Sequence, residues 1–333
     1  MRVGLALPHY EFSLPPGPVT LARVAEQAER AERLGFDSVW MSDHFFASLD
    51  RYGGDDRRYG TLEPLTTLAV LATRTRRVRL GTLVLSAGFR HPAVLAKSAA
   101  AIDRLSEGRL ELGLGAGWLA EEYRAFGYEF GSTGDRFAIL EEVLGYLGAL
   151  FDGEPARFRS RRFELRDAFA RPRPVQSPRP PMLVGGKGGP RMLRIAARHA
   201  DGWNAVWRWT PDAYAARARD ALAACERVGR DPAGFRRSVG LFTVVGENER
   251  DLVRRHALMA ERLPRGVGEL DLGTLRAECL AGTPAQVLER ASAFAALGVS
   301  ELIVSPAPIW FAMPDPSMLD LFADAVLPGL TAL

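Results

Sequence analysis

The sequence predicts an α/β protein, a closed (β/α)8 TIM barrel, on three observations. Short apolar runs alternate with longer amphipathic helical patterns from one end of the chain to the other. The strand-like runs are almost continuously apolar, as in strands buried on both faces, which pair in parallel beneath a cover of helices. About eight such units follow one another with no low-complexity linker, the number that closes a barrel. A doubly wound open sheet is the alternative, and it would need fewer strands or a clear second domain. The reading is one domain over 1–333 with a short hairpin insertion at 154–177.

The elements justify themselves in order. "RVGLALP" (2–8) is a buried strand, and "TLARVAEQAERAERLG" (20–35) an amphipathic helix closed by Gly35. Strand 36–45 precedes a helix at 62–75, and strand 78–85 a helix at 92–106. Strand 109–117 leads to a long helix near 135–151. The basic stretch "RFRSRRFELR" (157–166) could suit an acidic partner, but Phe158, Phe163 and Leu165 punctuate its charges and favour a solvated hairpin. Strand 181–186, helix 189–200 and strand 202–206 follow. Thr210 and Pro211 then begin a helix that runs to about Val228. Strand 237–246 and a helix near 248–262 come next. In the helix at 282–298 Thr283 caps, Pro284 sits in the first turn and Gln286 completes a capping box. A strand at 300–306 and a helix at 315–330 end the series.

Composition narrows the function. The chain has 333 residues, 47% hydrophobic and 25% charged, as in a soluble globular protein with ample core. A net charge of +3 is too small to advertise nucleic acid. No apolar run approaches the roughly 20 residues of a membrane span, and nothing at the N-terminus marks export. Cys225 and Cys279 are isolated, so no metal site is expected. The expectation is a cytoplasmic protein that handles a small molecule.

In a barrel the chemistry lies where strands end and βα loops begin. The strand at 181–186 ends in Gly185, Gly186, Lys187, Gly188 and Gly189. Arg191 stands where a dinucleotide fingerprint needs its third glycine, and no Ser or Thr follows Lys187, so this is no Walker loop either. Bare N–H groups at a helix start, with Lys187 and Arg191 beside them, form an anion site. A tight turn with positive φ would account for one or two of the glycines. Strand 36–42 ends in "SDHF", placing Asp43 and His44 at the mouth. There His44 can move a proton near neutral pH, or simply bond locally. His91, before Pro92, reads as a helix-start residue. Gly113, Gly115 and Gly117 alternate along the fourth strand, which suggests close approach by something flat or bulky, with Trp118 as a wall. Glu121 and Glu122 follow, and either could be a solvated helix start. Trp203, Trp207 and Trp209 are either barrel packing or an aromatic lid over a planar ligand.

At these residues the sequence resembles the luciferase-like monooxygenase superfamily over nearly its whole length. The carrying stretches are "AERLGFDSVWMSDHF", "RHPAVLAKSAAAIDRLSEGRLELGLGAGWLAEEYRAFG", "PPMLVGGKGGPRMLRIAARHADGWN" and "AGTPAQVLERASAFAALGVSELIV". "GLGAGWLAEEYRAFG" and "SDHF" are most similar to the branch that uses the deazaflavin coenzyme F420. The resemblance implies a tricycle bound at the mouth and a phosphate tail gripped by Gly185–Gly189. It implies a non-proline cis peptide at Leu83–Val84 behind the ring, with Ser86 just beyond. It places Asp43 and His44 against the ring, with Gly117 and Trp118 nearby. Some members carry an acidic proton donor where Trp118 stands, which puts a sugar-phosphate dehydrogenase role in doubt and leaves His44 or Glu121 to handle protons. The implied activity is hydride transfer between F420 and a small organic substrate. The alternative is an FMN-dependent monooxygenase that draws reduced flavin from a partner flavin reductase. Relatives commonly pair, which implies a homodimer.

Overall fold

Strands with apolar residues on both faces can be satisfied only by neighbours on both sides and helices outside, and a closed ring provides both. The computed structural model describes residues 1–266 and 270–333. The ring comprises β1 (Arg2–Ala6), β2 (Ser38–Met41), β3 (Arg79–Thr82) and β4 (Leu110–Gly115). It continues with β5 (Met182–Gly185), β6 (Gly202–Trp207), β7 (Arg236–Val245) and β8 (Glu301–Ser305). Each strand pairs in parallel with its neighbour in the chain, and β8 returns to β1. This is the eight-stranded barrel that the alternating pattern predicts.

One helix lies behind each strand: α1 (Leu21–Leu34), α2 (Pro64–Arg74), α3 (Pro92–Leu105) and α4 (Thr133–Asp152) cover the first half. The second half has α5 (Pro190–His199), α6 (Pro211–Arg227), α7 (Pro284–Ala296) and α8 (Pro316–Ala325). Local chemistry fixes their starts. Thr210 accepts from the Ala213 amide, and Thr283 with Gln286 closes the expected capping box. His91 caps α3 by accepting from the Ala93 amide, as its place before Pro92 suggests. Between β7 and β8 the chain adds helices Glu249–Arg262 and Leu272–Glu278, then a short strand, Leu280–Gly282, on the far half of β7.

The insertion contains the expected hairpin, Ala156–Arg159 against Glu164–Ala168. Several of its arginines are partnered: Arg157 meets Asp167 at 2.6 Å and Arg162 meets Glu142 at 2.7 Å. A second hairpin, Phe46–Ser48 against Arg58–Gly60, follows β2 and was not read from the sequence. Among the described residues no helix is long and apolar enough to cross a membrane.

The barrel interior is layered. At the end where strands begin, Glu111 and Glu301 are fully buried and face the guanidiniums of Arg2, Arg79 and Arg236. Burial alone would raise the Glu111 carboxyl, but Arg236, Arg2 and Arg79 outweigh it and hold it low. Glu301, buried and repelled by Glu111, is pushed up. Above this floor Trp40 fills the interior, and Gly4 and Gly81 are bare because its indole lies against them. The mouth is at the other end.

Candidate functional site

Past β3 the chain turns through a cis peptide between Leu83 and Val84, at the position the resemblance implies. The Val84 side chain enters a notch made by three glycines. A Cβ at Gly113, Gly115 or Gly185 would lie 2.8, 2.7 or 2.6 Å from a Val84 methyl carbon. The bulky neighbour of the spaced glycines in β4 is therefore Val84 itself. Leu85–Ser86 then pairs with Leu114–Gly115. Gly117 has φ +76°, and a Cβ there would meet the Tyr123 hydroxyl, which is hydrogen-bonded to Ser86 Oγ.

His44 stands at the end of β2, and its Nδ1 lies 2.9 Å from Glu122 Oε1. The other carboxylate oxygen of Glu122 accepts from the Phe45 amide at 3.0 Å. Glu122 is buried at 2% exposure, in the first turn of the short helix Ala120–Ala125. A carboxylate can only accept, so Nδ1 carries the proton and Nε2 is left to exchange one. Glu121, one residue earlier, turns outward and pairs with Arg58 at 2.7 Å. The structure thus brings Glu122, and not Glu121, to His44.

Asp43 does not touch the imidazole. It accepts from Arg90 through both oxygens, at 2.5 and 2.8 Å, and from the Ser86 amide at 2.9 Å. Arg90 also reaches Glu63, the N-cap of α2, at 2.7 Å. Asp43 fixes the turn that carries Ser86.

The glycines after β5 have separate reasons. Gly185 yields to Val84, whereas Gly186 and Gly188 have φ of +151° and +76°. Gly189 faces open space, with φ −66°, as the N-cap of α5, and no side chain caps that helix. Three of the four bare positions therefore have a local reason; at Gly189 the free helix start is an anion site in geometry. Lys187 lies 5.3 Å from the Trp209 ring centre. Burial and the nearby Arg208 charge lower its pKa. Arg191 lies over Phe137 of α4 at 5.7 Å.

The tryptophans divide. Trp203 is core, stacked on Tyr214 of α6 at 5.5 Å, and Trp209 packs edge-on against it. Of the three, Trp207 is half-buried at the end of β6, toward the mouth, and stacks on Phe242 at 5.8 Å. Trp118 is 42% exposed and meets His44 edge to face at 5.5 Å. Among the described residues no group of His, Cys, Asp or Glu could hold a metal ion.

The sequence model of the luciferase-like monooxygenases matches residues 1–301. The chain belongs to that family. An F420-dependent glucose-6-phosphate dehydrogenase of Amycolatopsis mediterranei is 37% identical, over 54% of this chain and 52% of its own. An F420-dependent hydroxymycolic acid dehydrogenase of Mycobacterium tuberculosis is 32% identical, over 74% of this chain and 64% of its own. The chain thus spans between half and two thirds of the length of these relatives. Among solved structures, an F420-dependent secondary alcohol dehydrogenase bound to an F420-acetone adduct superposes with a TM-score of 0.78. It is 19% identical and covers 99% of this chain and 98% of that one. The EDTA monooxygenase of Chelativorans sp. BNC1 gives 0.79 at 18% identity, over 100% of this chain and 93% of that one. At such identities the superpositions establish the fold.

This luciferase-like barrel also holds site residues that the sequence did not single out: Glu122 as the His44 partner, Arg90, Tyr123, and a buried trio behind His44. His9 Nδ1 donates to the Leu7 carbonyl at 2.7 Å, so Nε2 accepts from Ser42 Oγ at 3.0 Å. Ser42 in turn accepts from the Tyr10 hydroxyl at 2.6 Å. The only signal for the trio was the polar residues just past β1 and β2. Burial lowers the His9 pKa from 6.5 to about 4. Below pH 6.5 the unfolded chain takes up a proton that the fold refuses. Stability is therefore complete above pH 6.5 and falls by about 3 kcal/mol as pH approaches 4. Urea unfolding across this window should show wild type losing more stability than His9→Gln; equal losses would contradict it.

Proposed function

We propose that this protein is a coenzyme F420-dependent oxidoreductase that passes a hydride between the deazaflavin and a small organic substrate. The observation that carries the reading is His44, its Nδ1 committed to buried Glu122, at the same mouth as the Leu83–Val84 turn. The F420-dependent relatives support the choice of coenzyme.

The residues present fit such a group. The main chain at Leu83–Val84, wedged by Val84 against three glycines, would back the ring. Ser86 and Gly117 are held beside it by Asp43 and Tyr123. The uncapped start of α5 at Gly189, with Lys187 and Arg191, suits an anionic tail. When bound, the coenzyme supplies the hydride chemistry, and the chain supplies placement and proton handling. His44 Nε2 delivers a proton to the reacting oxygen or carbon of the substrate, or removes one, while Glu122 stabilises the imidazolium. Trp118 and Tyr10 pack near His44 and leave it 14% of its side-chain surface exposed.

Titration with F420 and with FMN, each followed by quenching of tryptophan fluorescence, tests the coenzyme. Saturable quenching by F420 is expected, and tight binding of FMN alone would overturn the reading in favour of a flavin monooxygenase. Gly189→Asp is the clean variant for the tail, because φ is ordinary there and the space is open. It should weaken F420 binding about tenfold or more, as expected from a charge placed against a phosphate. Its thermal unfolding should match or slightly exceed wild type, because Asp caps a helix start better than Gly.

A further inference from the structure

The short helix Ala120–Ala125 that carries Glu122 has little to hold it by itself. It is six residues long, and its N-cap, Leu119, offers no side-chain bond. Isolated helices of that length do not persist in water, so its orientation comes from what its side chains grip. Glu121 grips Arg58 on the outside, where both side chains are exposed and an ion pair contributes little. The next two residues grip the barrel. Glu122 takes His44 Nδ1 and the Phe45 amide with its two carboxylate oxygens. Tyr123, 2% exposed, sets its hydroxyl against Ser86 Oγ. Successive helix residues point about 100° apart, so these two grips together fix the rotation of the helix about its axis.

The bonds close on themselves. Ser86, which meets Tyr123, donates its amide to Asp43, and Asp43 precedes His44 in the chain. His44 leads to Glu122, and Glu122 precedes Tyr123. Three hydrogen bonds and two peptide links thus make a circuit through the segments that follow β2, β3 and β4. Room for the phenol is built in. A Cβ at Gly117 would collide with its oxygen, and one at Gly88 would lie 3.2 Å away. The Tyr123 ring packs on Phe89 at 4.8 Å and on Phe130 at 5.1 Å. Burial raises the phenol pKa, so the hydroxyl keeps its proton, and a phenol is a stronger donor than the serine it meets.

We propose that Tyr123 is a positioning residue for proton transfer: its bond to Ser86 holds the short helix at the rotation that keeps Glu122 on His44 Nδ1, leaving Nε2 to exchange the proton. Tyr123 acts through Glu122 and not on the substrate. This rests on reading His44 as the proton-handling group, and it holds for whichever coenzyme the mouth accepts.

The test reads the His44 imidazole directly. In the full chain without coenzyme, at a pH where the ring is neutral, the nitrogen NMR shifts of labelled histidine tell which nitrogen carries the proton. Wild type should show the Nδ1–H tautomer. Tyr123→Phe keeps the packing on Phe89 and Phe130 and should give a mixture of the two tautomers. Ser86→Ala removes the same bond from its other end and should do likewise. Glu121→Gln, which frees the outer grip, should leave wild-type shifts. In turnover, Tyr123→Phe should lower kcat about threefold to tenfold, the effect of one neutral hydrogen bond, and should cost nothing further in a Glu122→Gln background. A wild type already mixed, a single tautomer that persists in Tyr123→Phe and Ser86→Ala, an equal shift in Glu121→Gln, or additive losses of kcat overturns the proposal. If the tautomers respond as expected while F420 fails to bind, the coenzyme reading falls and this one stands.

Discussion

His44→Ala is expected to lower kcat by about 10²–10⁴-fold on any substrate the wild type turns over, the range that a positioned general acid–base contributes. F420 affinity should change little, because the main chain at Leu83–Val84 and the start of α5 remain. Deazaflavin absorbance follows turnover, and fluorescence titration follows binding. Glu122→Gln removes the charge and one of the two acceptors. The amide oxygen can serve Nδ1 or the Phe45 amide but not both, and it no longer balances an imidazolium, so kcat should fall, and by less than for His44→Ala. If Glu121→Gln proved as damaging as Glu122→Gln, the assignment of the buried glutamate would be wrong. Turnover unchanged in His44→Ala would remove the imidazole from the reaction altogether.

The largest effect on stability is expected at the barrel floor. Glu111→Ala leaves Arg2 and Arg236 with Glu301 alone and Arg79 without its carboxylate, and breaking a buried ionic cluster from one side costs about 3–5 kcal/mol. The three guanidiniums keep 25–32% of their side-chain surface exposed, which places the loss near the lower figure. Glu301→Gln should cost less, because burial and Glu111 already push that carboxyl toward its neutral form. The pH dependence has a definite sign. Glu111 is held low in the fold, so its contribution is present above the ordinary carboxylate range and fades as acid protonates it. Urea unfolding at neutral pH measures both variants. A loss under about 1 kcal/mol for Glu111→Ala would mean that solvent satisfies the arginines.

The fold was legible because strand and helix are written locally, in continuous apolar runs and in caps such as Thr210 and Thr283–Gln286. The hairpin at 46–60 was not, since its strands are three residues each and alternate too briefly to register. At the site, His44 and the Leu83–Val84 turn were readable, the first from its place after a strand and the second only through the resemblance. Glu122 was missed for a physical reason: adjacent glutamates on a helix differ by about 100° in direction, and sequence does not say which one faces inward. Asp43 was read correctly as a mouth residue, but its partner, Arg90, comes from a loop 47 positions away. The glycines after β5 invited a ligand, whereas three of them answer to backbone geometry and to Val84.

Val84 gives the barrel an asymmetry with practical weight. Because one isopropyl group keys β3 to β4 and β5 through three bare positions, that arc of the opening tolerates almost no redesign: any methyl added there displaces the key. The opposite arc, where Phe242 stacks on Trp207 and Tyr52 packs on Trp310, is keyed at one place only among the described residues, the ring of Trp207 against bare Gly240. Mutational libraries aimed at new selectivity belong at Phe242 and Trp310 on that second arc, with Trp207 kept.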